Sequence, residues 1–148
     1  MPNAQAPLPD RVRRLNLIHM AFIAAIFVYV LVIIFQTREP GVATDVSAIR
    51  PILILTAALA AGASIWWRRR ATGETQFMPL EKASAADSFD QLQANCIITW
   101  ALSESVAIMG LVLAFLSRDY GTFMPFGAAA LALLIVHRPG VWPQMPAE

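Results

Sequence analysis

One carboxyl group lies in an apolar run that should exclude it. Glu104 stands ten residues into Ala94 to Leu116, a run of 23 residues with no other charged side chain. If this run is a helix in a bilayer, a rise of about 1.5 Å per residue puts Glu104 roughly 15 Å from one end, near the midplane. A charged carboxylate at that depth costs at least about 2.5–3.5 kcal/mol. Burial therefore favours the neutral acid. A carboxyl that is neutral in lipid and ionises on meeting water or a cation can bind and release a proton. The plainer reading is an interhelical hydrogen bond. Such bonds average only about 0.6 kcal/mol in membrane helices, and a serine or asparagine could make one. Because intramembrane ionisable groups are so commonly functional, proton binding is the leading expectation.

Few other side chains could take part. Ser103, Ser105 and Thr99 are the hydroxyl groups nearest to Glu104 in sequence. His19 lies in the first apolar run and is a candidate proton relay, since histidine exchanges protons near neutral pH. A lone histidine near an interface is more often simply hydrogen-bonded there. Tyr29 is in the middle of the same run and needs a hydrogen-bond partner; Glu104 is one option. His137 beside Arg138 reads as an interface residue, and two histidines so far apart in context do not suggest a haem or metal site. The single cysteine, Cys96, excludes an intrachain disulfide and a cysteine metal cluster, and reads as a packing residue. There is no HExxH, GxSxG, phosphate-binding loop or dinucleotide fingerprint. One carboxyl without a base, nucleophile or metal partner is a poor catalytic site, so no enzyme activity and no cofactor are expected.

These side chains must be positioned by apolar helices. The 148-residue chain is 57% hydrophobic and only 14% charged, against about 25% in ordinary soluble domains. Four apolar runs leave no room for a separate soluble fold. The expected spans are about 15–36, 51–67, 94–116 and 121–137, joined by a polar loop over 68–93. A bilayer core of about 30 Å needs roughly 20 helical residues. Helices satisfy their own backbone hydrogen bonds in lipid, and no run alternates with the period of two that a barrel requires. The expected fold is an all-α integral membrane four-helix bundle, a single domain over 1–148. The first run is longer than the h-region of a signal peptide, and no A-x-A site follows it.

Local signals set the ends. Asp10 after Pro9 suits a helix start. Pro51 fits a first turn, as does Pro125 after Gly121-Thr122. Trp66-Trp67 followed by Arg68-Arg69-Arg70 marks a membrane interface. Ser88 and Gln91 have capping-box spacing, so the third helix is expected to begin in water. An offset of 80 aligns Ala21 with Ala101, Leu31 with Leu111, Phe35 with Phe115 and Arg38 with Arg118. Apolar helices match easily by chance, so two duplicated hairpins remain an open alternative.

The small residues Thr99, Ser103, Ala107, Gly110 and Ala114 recur at three-to-four spacing on the third helix. They make a stripe along which another helix can approach closely. Glu104 is about 100° round from Ser103, at the flank of that stripe.

The segment around Glu104 resembles the carboxyl-bearing helix of the rotary ATPase proteolipids, subunit c of F-type ATP synthases and the related V-type subunit. Ala101, Leu102, Glu104, Ile108, Gly110, Leu111, Val112 and Ala114 fit that helix over about 20 residues. The resemblance implies a proton-binding Glu104 in a membrane subunit that works as a homo-oligomer or with other membrane subunits. It also implies a proton rather than sodium. Of the extra oxygen ligands of sodium-binding proteolipids only Ser105 is matched, while Val106 and Met109 replace the others. The family's partner helix carries a glycine repeat; here Ala57, Ala60, Ala61, Gly62 and Ser64 stand instead. The family's tight polar loop is replaced by about two dozen residues. The alternative is an accessory or assembly subunit in which Glu104 makes structural interhelical hydrogen bonds.

Lysine and arginine counts set the orientation. Arg11, Arg13, Arg14, Arg68, Arg69, Arg70, Lys82 and Arg138 lie on one side; Arg38, Arg50 and Arg118 lie on the other. The richer side is expected in the cytoplasm, with both termini, in a bacterial-type cytoplasmic membrane. The net charge of +1 gives no case for nucleic acid. In intact cells, with Cys96 removed, a membrane-impermeant thiol reagent is expected to label Thr44→Cys and not Lys82→Cys. The reverse pattern overturns the orientation.

Overall fold

The computed structural model describes residues 8–38, 41–77 and 85–138. It is all-α: α1 is Leu8–Arg38, α2 Arg50–Phe77, α3 Ala85–Ser117 and α4 Tyr120–Val136. Three of these helices are long and apolar enough to cross a membrane, over Asp10–Arg38, Arg50–Ala71 and Asp90–Ser117. The fourth, at 17 residues, is about 25 Å long. That is short of a bilayer core of about 30 Å.

The helices outrun the apolar segments that announce them. The sequence reads 68–93 as a polar loop, but α2 continues through the arginine triplet to Phe77, and α3 has already begun at Ala85. The physical reason is that hydropathy marks what lipid can cover, whereas a helix needs only residues that tolerate its backbone. Arg, Ala, Glu and Gln all do. Ser88 therefore lies inside α3 and not at its cap. Lys82 falls outside the described residues.

The chain runs up, down, up, down with α3 at the centre. α3 packs extensively against α2 and α4 and along one side of α1; α2 and α4 touch only narrowly. α1 and α3 run parallel. From one end to the other, Arg11 pairs with Asp90 at 3.6 Å, His19 lies on Trp100, Tyr29 meets Glu104, and Gln36 Nε2 donates to Phe115 O at 3.0 Å. α2 and α4 run the other way. The N-terminal ends of α1 and α3 and the C-terminal end of α4 thus share one end of the bundle with the Trp66-Trp67-Arg68 part of α2. The turn from α3 to α4 takes two residues. Arg118 adopts φ 52°, and its Nη2 donates to Gln36 O at 2.6 Å. Asp119 then caps α4, accepting from Gly121 N at 3.0 Å and from the Thr122 hydroxyl at 2.6 Å. The sequence places that start at Gly121-Thr122; the helix begins one residue earlier, at Tyr120, directly after the capping Asp119.

The core lies along the small-residue stripe of α3. Thr99, Ser103, Ala107 and Ala114 are fully buried, and Gly110 is buried with them. Apolar side chains point outward elsewhere, including Leu17, Phe27, Leu31 and Phe35 of α1 and Ile52, Leu55 and Leu59 of α2. An outer surface this apolar suits lipid. Lipid tails remove the hydrophobic drive between helices, so close packing and hydrogen bonds must hold them together.

At Gly110 α3 and α4 pack closely. A Cβ there would run into Cβ and Cγ of Phe126 on α4. Phe126 Cβ is tied to the α4 backbone, so the helix itself must move. Gly110→Ala is expected to destabilise the bundle by about 1–3 kcal/mol. At Gly62, where nothing lies within 4 Å, the same change is expected to be neutral or to stabilise by up to about 1 kcal/mol. Thermal unfolding of both variants in one detergent checks the contrast.

Candidate functional site

Glu104 sits at the middle of the Asp90–Ser117 span, half-buried at the surface where α1 meets α3. Its Oε1 accepts a hydrogen bond from the Tyr29 hydroxyl at 2.6 Å, across 75 residues of sequence. That is the short range found when an O–H donates to a carboxylate. Parallel packing of α1 on α3 brings the two together: Tyr29 faces inward near Ile26 and Ile33, two residues of the buried stripe of α1. Of the hydroxyl and imidazole groups named from sequence as its neighbours, Tyr29 alone reaches Glu104. Ser105 bonds back to Ala101 O at 2.8 Å, one turn earlier on its own helix. Thr99 does the same to Asn95 O at 2.8 Å, and Ser103 faces away toward α2 and α4. On the face beside Glu104, Ala101, Val112 and Phe115 are exposed.

A second polar centre gathers at the C-terminal end of α4. An α-helix leaves its last four carbonyls without intrahelical partners. Here the other three helices each send a donor. His19 of α1 donates from Nε2 to Leu134 O at 3.0 Å. Trp100 of α3 donates from Nε1 to His137 O at 2.9 Å. The Arg68 guanidinium of α2 donates to Val136 O. His19 also stacks on Trp100 with ring centroids 4.9 Å apart, and Phe22 covers the same indole.

His137, the C-cap residue of α4, closes the cluster from inside. Its Nδ1 lies 3.2 Å from the hydroxyls of both Ser64 and Ser103, which are 2.9 Å apart. Both hydroxyls also reach Thr99 O, at 3.2 Å from Ser64 and 2.8 Å from Ser103. With two hydroxyl protons and the Thr99 carbonyl as a further acceptor, Nδ1 finds a partner in either tautomer of the ring.

One expectation changes. His137 reads from sequence as an interface residue, but only 2% of it is exposed. Its neighbour Arg138 does point outward. The two histidines, far apart in sequence, both contact Trp100, because α1 and α4 meet against the same face of α3. The proposed relay residue His19 is placed at this cap, with its ring nitrogen committed to Leu134 O. The sequence signal missed was length: a 17-residue apolar helix ending beside a histidine calls for donors from its neighbours. Among the described residues no three His, Cys, Asp or Glu side chains form a metal-ligand set. Cys96 is buried and unpaired, as its packing role implies.

No protein-family model, curated protein or solved structure matches this chain. The two centres differ in what they demand. The carbonyls of Leu134 and His137 accept buried hydrogen bonds, so loss of either donor leaves an unsatisfied group. Trp100→Phe and His19→Phe keep an aromatic ring and remove the donor. Each is expected to cost about 1–3 kcal/mol. Tyr29→Phe leaves Glu104 half-exposed and is expected to cost only about 0.6 kcal/mol. Thermal unfolding of the three variants, compared in one detergent, checks the order.

Proposed function

We propose that this chain is a proton-binding membrane subunit in which Glu104 takes up and releases a proton, and that it works in an oligomer or a larger membrane complex. The observation that carries the reading is the Tyr29–Glu104 hydrogen bond at mid-span on the bundle surface. One carboxyl oxygen is held and oriented by a phenol. The side chain is still half-exposed and can meet a group outside the bundle. A hydroxyl can donate to the carboxyl oxygen whether or not the group holds its proton. The apolar face alongside, with Ala101, Val112 and Phe115 exposed, suits lipid or a helix of another subunit. The likeness of residues 101–114 to the rotary ATPase proteolipids points the same way.

The reading includes a bacterial-type cytoplasmic membrane, and the positive-inside asymmetry supports an orientation with both termini and the connection between α2 and α3 in the cytoplasm. Arg11, Arg68 and Arg138 at one end of the bundle, with Arg50 and Arg118 at the other, suit that orientation.

The same hydrogen bond favours a second reading. Tyr29 and Glu104 join α1 to α3, so Glu104 is a structural staple in an accessory subunit. The two readings part on one residue. A hydrophobic carbodiimide, which attacks protonated carboxyls in lipid, is expected to modify Glu104 and spare Asp45, Asp90 and Asp119. Glu104→Gln keeps the size and a hydrogen-bonding carbonyl but has no proton to release. Under proton binding it assembles normally and loses function. A functional Glu104→Gln protein, or a Glu104 inert to the reagent, would leave the staple as the better account, with Glu104→Leu the variant that fails to assemble.

A further inference from the structure

The narrow contact between α2 and α4 leaves a groove of about 380 Å³ at the end of the bundle opposite the His137 cluster. Its floor is Leu113 of α3; its walls are Ile54 of α2 and Pro125 and Phe126 of α4. Arg50 and Asp119 stand at its mouth, each at the start of an apolar helix. The floor is fully buried, whereas Ile54 is half-exposed, so the groove opens sideways toward whatever surrounds the bundle. α2 and α3 are long and apolar enough to cross a membrane, so that surrounding is lipid.

The two charges at the mouth are complementary but do not pair. Arg50 lies near enough to draw the Asp119 carboxyl toward its ionised form. Even so, Arg11–Asp90 is the one salt bridge among the described residues. The Thr122 hydroxyl and the Gly121 N–H hold the Asp119 carboxyl below the usual carboxylate range. An ionised carboxylate and a guanidinium thus flank an apolar slot and leave space between them. Guanidinium groups bind phosphate through paired N–H donors, and the start of α2 adds its helix dipole to the attraction for an anion. The carboxylate suits a cation.

We propose that this groove binds a single phospholipid with an amine headgroup: the phosphate on Arg50, the ammonium on Asp119, and one acyl chain along Ile54, Leu113 and Phe126. A phosphatidylglycerol headgroup offers Arg50 the same phosphate but brings no cation to Asp119. A neutral diacylglycerol would leave both charges unanswered. At the lower end of the usual volumes of small-molecule pockets, the groove holds part of one chain and not a whole lipid.

Native mass spectrometry of the full-length, delipidated protein tests this, with palmitoyl-oleoyl phosphatidylethanolamine, the matching phosphatidylglycerol and the matching diacylglycerol as probes. One phosphatidylethanolamine is expected to be retained about fivefold more tightly than phosphatidylglycerol, the scale of one exposed ion pair. Diacylglycerol should be weakest. Asp119→Asn keeps a good helix cap and is expected to abolish the preference for the amine headgroup. Arg50→Gln is expected to bring both phospholipids down to the diacylglycerol level. Ile54→Trp, which fills the groove from an exposed position, is expected to displace the lipid while the helical circular dichroism stays unchanged. Equal retention of the two phospholipids by the unaltered protein, a preference for phosphatidylglycerol, or an Ile54→Trp protein that binds as before overturns the proposal.

Discussion

A short apolar helix that ends among its neighbours cannot leave its carbonyls bare. In water the last turn would be solvated; next to lipid each unsatisfied carbonyl carries a penalty of several kcal/mol. α4 answers this with donors from every other helix: His19, Arg68 and Trp100 reach three successive parts of its C-terminal turn. The requirement fixes more than α4. It sets how far α1 slides along α3, because His19 must reach Leu134 O while stacking on Trp100. It also sets the register of α2, because Ser64 and Arg68, one turn apart, meet His137 and Val136 O together.

The rest of the bundle follows from α3 as the shared surface. Three helices can lie against it because its inner face is built from small residues, and at Gly110 the approach is close enough that a single methyl group collides with Phe126. The buried side-chain hydrogen bonds gather around His137 at one end, and the close approach of α4 to α3 at Gly110 lies further along. Glu104 lies between the two, at the edge of the buried face. The registry that brings His19 to Trp100 also brings Tyr29, ten residues on, to Glu104. The carboxyl is thus oriented by a contact whose geometry is set elsewhere in the bundle.

The same arrangement explains where the structure stays open. α2 is drawn to α3 and to the capped end of α4, and diverges from α4 toward the other end. The result is a slot over Leu113 with a charge of each sign at its mouth. In a chain this apolar, a gap on the outer surface suits lipid.

Much of this was legible from residue types. The apolar runs determined the helix count and the all-α class, since a chain that must satisfy its backbone away from water has little else to form. The small-residue stripe announced the buried face of α3, and the isolation of Glu104 among apolar residues marked it as unusual. Helix ends were less legible: α2 and α3 continue through the arginine and Asp-Gln segments because hydropathy reports lipid contact and not backbone conformation. Pairings between helices were out of reach. Tyr29 with Glu104 was one option among several, and nothing in the local sequence of His137 foretold Ser64, Ser103 and Trp100. Such contacts join residues 34 to 115 positions apart. A single apolar helix accepts many rotations and many sliding positions against its neighbours. Only the assembled bundle, where buried carbonyls, hydroxyls and ring nitrogens must all find partners at once, selects one.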